Sequence, residues 1–164
     1  MAKIGLIRID DRLIHGQVVT TWINHTASTR ILIADNELAN NKFMASIYTM
    51  AAPKGLTVEV IAIDHLAQEW KKDELGTGTL LILFKNVKAL YDAYQKGFHF
   101  SHVQIAGLAS GPGKKLVYKS VGLDKESAML LKDLHDQGVN VEFQSMPGEK
   151  IVDIQTIIKK YFTL

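Results

Sequence analysis

The chain of 164 residues contains no cysteine. That excludes disulfides and thiolate-bound metals, and it fits a reducing compartment. It also lacks a strong charge of either sign. Nineteen Lys and Arg against 17 Asp and Glu leave a net +2, too little for the basic footprint of a nucleic-acid binder. Long apolar runs are missing as well: stretches such as LLILF at 80–84 are far shorter than the ~20 residues a membrane helix needs. The start, MAKIGLIRID, shows no apolar stretch ending in a cleavage site, so the expectation is a cytoplasmic protein without a signal peptide. A membrane-bound partner stays open. Two glycine fingerprints are absent too. GPGKKL at 111–116 has Leu108 where a phosphate-binding loop needs its first glycine, and Lys115 where it needs Ser or Thr. GTGTLL at 76–81 precedes a strand-like run instead of following one, so no dinucleotide-binding turn is expected.

What is present is the balance of a globular protein, 47% apolar and 22% charged. Residues 1–164 are expected to form one domain with a buried core. Strand-like runs alternate with helical patterns. KIGLIRI (3–9), RILIA (30–34), LTVEVIAI (56–63), LLILF (80–84), HVQIAG (102–107) and VNVEF (139–143) read as strands, and 115–121 as a short one. Helices are expected over 16–26, from a cap at Asp35 or Asn36 to about Ala51, and over 65–73 behind Asp64. NVKALYDAYQKG should end at Gly97. The helix capped by Asp124 should share a face of Met129, Leu130 and Leu134 and stop at Gly138, and IVDIQTIIKKYF closes the chain. This alternation predicts an α/β domain with a mostly parallel central sheet and helices on both faces. Such sheets bind ligands beyond the carboxyl ends of their strands.

The chemistry concentrates in IRIDDRLIHGQVV, residues 7–19, at such a strand end. His15 falls at the start of a helix, where free amides and the helix dipole favour an anion. Gly16 would let a bulky group approach the backbone. Arg12 can fork two donors onto phosphate oxygens. Asp10 and Asp11 can orient Arg12 or the imidazole, but cannot face a phosphate bare. Together these suit a transiently phosphorylated histidine, with a neutral ring nitrogen as nucleophile. The plain alternative is a capped helix start with an Asp11–Arg12 surface pair of little worth. His99 and His102, three apart, lack further ligands for a metal. His25, His65 and His135 sit beside polar neighbours on helices, and the loop 107–115 with Lys114 and Lys115 reads as a solvated turn.

RIDDRLIHGQVV also closely resembles the opening of the IIB components of the mannose/fructose/sorbose family of the bacterial sugar phosphotransferase system. The family pattern Arg–aliphatic–Asp–x–Arg–aliphatic–aliphatic–His–Gly–Gln–Val is met by Arg8, Asp10, Arg12, His15, Gly16, Gln17 and Val18. The resemblance continues through ILIADNELANN, LFKNVKALYDAYQKG, VQIAG and GVNVEFQSMPGEK, nearly the whole chain. It implies a phosphocarrier in which His15 takes a phosphoryl group on Nδ1 from a separate IIA chain. The group then goes to a sugar carried by a IIC/IID membrane complex. It implies that Arg12 neutralises the moving group and that Asp10 lies close to the site. Gly16, Gln17 and Asp11 would line the pocket, with Lys85 and the loop around Gly107 on its rim. No metal or other cofactor is expected. Gln104 and Ala106 depart from the family's usual Asn–aliphatic–Gly–Gly, and LASGPGKK looks closer to the amino-sugar branch than to the mannose branch. The rival expectation from another class is a non-catalytic α/β module that binds a small anion or a partner protein through the Arg12–His15 loop.

Overall fold

The computed structural model, which describes residues 1–164, alternates strands and helices along its length. It runs β1 (Lys3–Asp10), α1 (Gly16–Thr26), β2 (Arg30–Ala34), α2 (Asn36–Ala39), α3 (Lys42–Met50), β3 (Thr57–Ile61), α4 (Ile63–Asp73) and β4 (Thr79–Phe84). It continues α5 (Val87–Gln95), β5 (His102–Gly107), β6 (Lys115–Tyr118), β7 (Val121–Leu123), α6 (Lys125–Asp136), β8 (Asn140–Phe143), β9 (Val152–Asp153) and α7 (Ile154–Tyr161). The main sheet has the order β3-β2-β4-β1-β5-β8-β9. Every pairing in it is parallel except β8 with β9. The sheet is therefore mostly parallel, as the alternation predicts.

Its strands are nearly continuous Ile, Leu, Val and Phe because both faces are covered. One face buries Ile7, Ile9, Leu80, Ile82 and Phe84 against α4, α5, α6 and α7. The other buries Leu6, Ile31, Ile33, Leu81 and Leu83 against Val19, Trp22 and Ile23 of α1 and Leu38 of α2. β1 lies between β4 and β5. The helix after β1 covers one face and the helix after β4 the other, so the sheet's topological switch lies at the carboxyl end of β1. No helix is long and apolar enough to cross a membrane.

Several elements differ from expectation for identifiable reasons. The helix expected up to Ala51 is two helices. Asp35 caps α2 by accepting the Leu38 amide at 3.0 Å, and Asn41 starts α3 by accepting the Met44 amide at 3.1 Å. Asn36 accepts the Ile63 amide at 2.8 Å, so α4 begins at Ile63 on a borrowed acceptor and not behind Asp64. The third strand stops at Ile61 accordingly. The single strand expected over 115–121 is a hairpin, with β6 antiparallel to β7. In α6 the buried face is Ala128, Leu131 and Leu134, while Met129 turns to solvent. The last helix starts only at Ile154, because Val152 and Asp153 first pair with β8.

The β6–β7 hairpin leans on the loop after β5. The Leu108 amide donates to the Ser120 carbonyl at 2.9 Å, and the Gly122 amide returns the bond to Leu108 at 2.8 Å. A Cβ on Gly122 would lie 2.7 Å from the Ser110 backbone Cα. Gly122→Ala should therefore force the hairpin off the loop at a cost of about 1–3 kcal/mol. A lower urea midpoint at unchanged slope checks this. A midpoint equal to wild type would show that the contact relaxes freely.

Candidate functional site

Strand alternation decides which side chains meet. In β1, Ile7 and Ile9 point to one face, so Arg8 and Asp10 point to the other, toward α1. Both are buried. The Arg8 guanidinium donates through Nη1 to Gln104 Oε1 at 2.5 Å and to the Ser145 carbonyl at 3.0 Å. Its carbon stands 5.5 Å from the centre of the Trp22 ring. Trp22 donates its own Nε1 proton to the same Ser145 carbonyl at 2.9 Å. The loop after β8 is thus fastened to α1 and β1 by two donors on one oxygen.

Asp10 ends the strand with no solvent-accessible side-chain surface. Its Oδ1 accepts the Arg12 amide at 3.0 Å and Arg12 Nε at 3.1 Å. Its Oδ2 takes Arg12 Nη2 at 3.2 Å and His15 Nε2 at 2.9 Å, and lies 3.5 Å from Arg8 Nη2. Burial pushes the Asp10 carboxyl up, but the hydrogen bonds from Arg12 and His15 outweigh it and hold the group below the usual carboxylate range. Burial draws Arg8 down to about 10 against the pull of Asp10, so it stays protonated at neutral pH. Asp10 is then an ionised, acceptor-only group, and His15 Nε2 must carry the proton between them.

The turn from Asp10 to His15 is tight. The Leu13 amide closes it on the Asp10 carbonyl at 2.9 Å, with Leu13 at φ 57° and its side chain buried in the α1-side core. A leucine held in the left-handed region is a strained residue kept there by its burial. His15 follows as the extended residue ahead of α1, its side chain 22% exposed. The imidazole folds back onto Asp10 and leaves Nδ1 as the ring nitrogen without a bond. Gly16 adopts a φ of +50°, which favours glycine, and a Cβ there would meet nothing of this chain within 4 Å. Gly107 pairs with Asp10 across β1 and β5, and a Cβ on it would lie 2.8 Å from Asp10 Oδ1.

The expected site residues divide. Asp10, Arg12 and His15 form one bonded cluster. Asp11 orients neither Arg12 nor the ring. Its Oδ2 accepts the Ala109 amide at 2.7 Å and its own amide donates to the Gly107 carbonyl at 3.0 Å, tying down the glycine-rich loop. The Asp11–Arg12 surface pair is therefore replaced by an Asp10–Arg12 pair. That loop is partly braced, since Lys114 also bonds the Ala109 carbonyl at 3.2 Å. Gln17 is exposed on the first turn of α1, and only its carbonyl is used, by Thr21. Lys85 follows β4 at the same end of the sheet without a hydrogen bond or ion pair to the cluster. Arg8 and Gln104 are the residues that sequence reasoning passed over. The signal for Arg8 was its parity with Asp10 in a strand, and Gln104 stood out as a departure from the family pattern.

No group of three or more His, Asp or Glu is placed to hold a metal. His102 pairs with Glu142 at 2.9 Å and His99 packs on Tyr94. The surface cavities are lined by other residues, one of them by Trp70, Phe100 and His102 at the opposite end of the sheet. Asp10, Arg12 and His15 line none of these cavities.

Comparison with known proteins identifies the family and the fold. Residues 4–163 match the family described as the PTS system sorbose subfamily IIB component. The chain is 30% identical over 152 residues to a sorbose-specific EIIB component of Klebsiella pneumoniae, covering 93% of each. It is 29% identical over 157 residues to a mannose-specific EIIAB component of Escherichia coli, where it spans 96% of this chain and 49% of that protein. Among solved structures, manxB from Thermoanaerobacter tengcongensis superposes with a TM-score of 0.91 at 36% identity over 99% of both chains. Sorbose and mannose relatives stand at equal distance, so the match assigns the component and not the sugar.

Asp10→Asn leaves the buried Arg8 charge without its counter-ion, and should cost about 3–5 kcal/mol at neutral pH. The folded pKa of Asp10 is lowered, so its stabilisation is complete above the ordinary carboxylate pKa and disappears as pH falls through the lowered value. The wild-type advantage over Asp10→Asn should therefore be flat near neutrality and shrink below about pH 4. Urea unfolding of both proteins across that range tests it. An advantage that grows in acid would reverse the sign.

Proposed function

The chain belongs to the sorbose subfamily of IIB components of the sugar phosphotransferase system, and from that premise we propose that His15 carries its phosphoryl group. A IIB component is a phosphotransferase that works between a IIA component and a membrane IIC component. For this chain the donor is a phosphorylated histidine of IIA. The acceptor is a sugar held by a IIC/IID complex.

One observation carries the assignment to His15: its Nε2 proton is committed to a buried carboxylate at 2.9 Å, while Nδ1 has no hydrogen-bond partner on a side chain that stays 22% exposed. In the neutral ring that commitment places the lone pair on Nδ1. The Nδ1 lone pair attacks phosphorus, the donor nitrogen–phosphorus bond breaks, and the donor imidazole leaves with the bonding electrons. His15 becomes a ring cation, and Asp10 accepts the Nε2–H bond throughout without taking the proton. Arg12, half-exposed beside the ring, is the cation that covers the equatorial oxygens. The exposure of Arg12 and the partial exposure of His15 suit a site that two macromolecular partners must reach in turn, through small transient interfaces. Gly16, Gln17, Asp11 and Lys85 complete the surroundings of the loop, Asp11 by bracing the residues after β5. The rival reading as a non-catalytic anion binder has no observation in its favour.

Incubation with labelled phospho-IIA should put one acid-labile, base-stable phosphoryl group on the wild-type protein and none on His15→Ala. Arg12→Ala should still accept it, about 10²-fold more slowly. Full labelling of His15→Ala at another residue would overturn the assignment.

A further inference from the structure

Arg8 Nη2 is buried and has no hydrogen-bond partner. Buried donors without partners are rare in folded proteins, and a charged one is costly. The other end of the same guanidinium is fully occupied, with Nη1 on Gln104 and Ser145. The orphaned nitrogen is aimed at Asp10 Oδ2, 3.5 Å away and slightly beyond a good N–H···O contact. Asp10 meanwhile holds Arg12 through Nε and Nη2. Arg12 is 51% exposed, and Arg8 is not exposed enough to reach any ligand.

These facts set up a conflict. Under the assignment of His15 as carrier, Arg12 is wanted twice: by Asp10 in the empty state and by the phosphoryl oxygens in the loaded state. When Arg12 turns outward, Asp10 loses two hydrogen bonds and keeps only the Arg12 amide and His15 Nε2. A buried carboxylate cannot give up that compensation unreplaced. We propose that Arg8 is a positioning residue that closes onto Asp10 as Arg12 leaves it for the phosphoryl group. The inference rests on the His15 reading and goes beyond it by assigning a partner exchange. The transfer itself is unchanged: the donor nitrogen–phosphorus bond breaks, the Nδ1–phosphorus bond forms, and no proton moves to Asp10. Only hydrogen bonds are exchanged. The empty cluster of Asp10, Arg8, Arg12 and neutral His15 carries one net positive charge. Adding a dianionic phosphoryl group to a ring that becomes cationic brings it to zero. The charge needed to receive the group is thus already in place, and the exchange only redistributes it. A lysine at position 8 could not serve, because its single ammonium cannot span Gln104, the Ser145 carbonyl and Asp10.

Two measurements test this. The first uses unsubstituted protein with ¹⁵N-labelled arginine, before and after phosphorylation by IIA. On loading, the Arg8 Nη2 protons should exchange with water about tenfold more slowly, while Arg12 Nε–H shifts away from its carboxylate-bound position. Unchanged Arg8 signals in a fully phosphorylated protein overturn the exchange. Failure of His15 to be phosphorylated would instead refute the carrier assignment. The second is single-turnover phosphorylation of Arg8→Lys, Arg12→Ala and the double variant. Arg8→Lys should slow acceptance about tenfold in the wild-type background and less than about twofold beside Arg12→Ala, where no exchange is required. Equal slowing in both backgrounds would mark Arg8 as merely structural and overturn the proposal. If Arg8→Lys does not fold, the NMR comparison on the unsubstituted protein decides the matter.

Discussion

The buried carboxylate of Asp10 is the group on which the rest of the site depends. A carboxylate stripped of water is costly, and burial alone would push its proton affinity up. Here the opposite holds, because Arg12 and His15 donate hydrogen bonds to it; Arg8 stands beside it at 3.5 Å. The ion then does three tasks at once. It keeps Arg8 from being an isolated buried charge. It fixes the plane and tautomer of the imidazole. It also holds Arg12 beside that ring while the site is empty. Any group that weakens the carboxylate therefore loosens strand, loop and histidine together.

The sheet is built to hold this ion at one edge. Parity in β1 sends Arg8 and Asp10 to the α1 side while their neighbours Ile7 and Ile9 enter the opposite core. Gly107 on β5 leaves the space that Oδ1 fills. Leu13 turns the chain back at a cost in backbone strain that its burial offsets. Asp11 then carries the bracing into the next loop by catching the Ala109 amide. Four neighbouring residues, each with a different physical job, put a single imidazole at the switch point with one nitrogen bonded and the other free.

Much of this was legible beforehand, and the failures are instructive. Strands such as RILIA and HVQIAG, and the helix at 16–26, coincide with their elements because apolar runs and glycine stops are local signals. Asp10, Arg12 and His15 were recognisable as a set because a strand end, a helix start and the phosphoryl chemistry all converge there. The start of α4 was not legible, since its first amide is satisfied by Asn36 from a distant loop. Nor was the break before α3, where consecutive asparagines offered several caps and the backbone used Asn41. The role of Asp11 was misread for the same reason: its partner lies 98 residues away. Local propensity is visible in sequence, whereas hydrogen bonds between loops exist only once the sheet has brought them together.

A carrier must accept a phosphoryl group readily and yet let it go, and the sharing of Arg12 bears on that balance. A guanidinium held in reserve for the phosphoryl group alone would stabilise the loaded state as well as the transition state, which lowers the ground state without speeding onward transfer. In this protein Arg12 reaches the group only by abandoning Asp10, so part of its binding energy is spent on breaking existing bonds. The loaded state is correspondingly less deep. The in-flight group, with charge spread over its equatorial oxygens, still meets a cation within reach. Placing Asp10 between two arginines thus makes the histidine a reversible stop for the phosphoryl group, because Asp10 takes Arg12 back once the group has moved on.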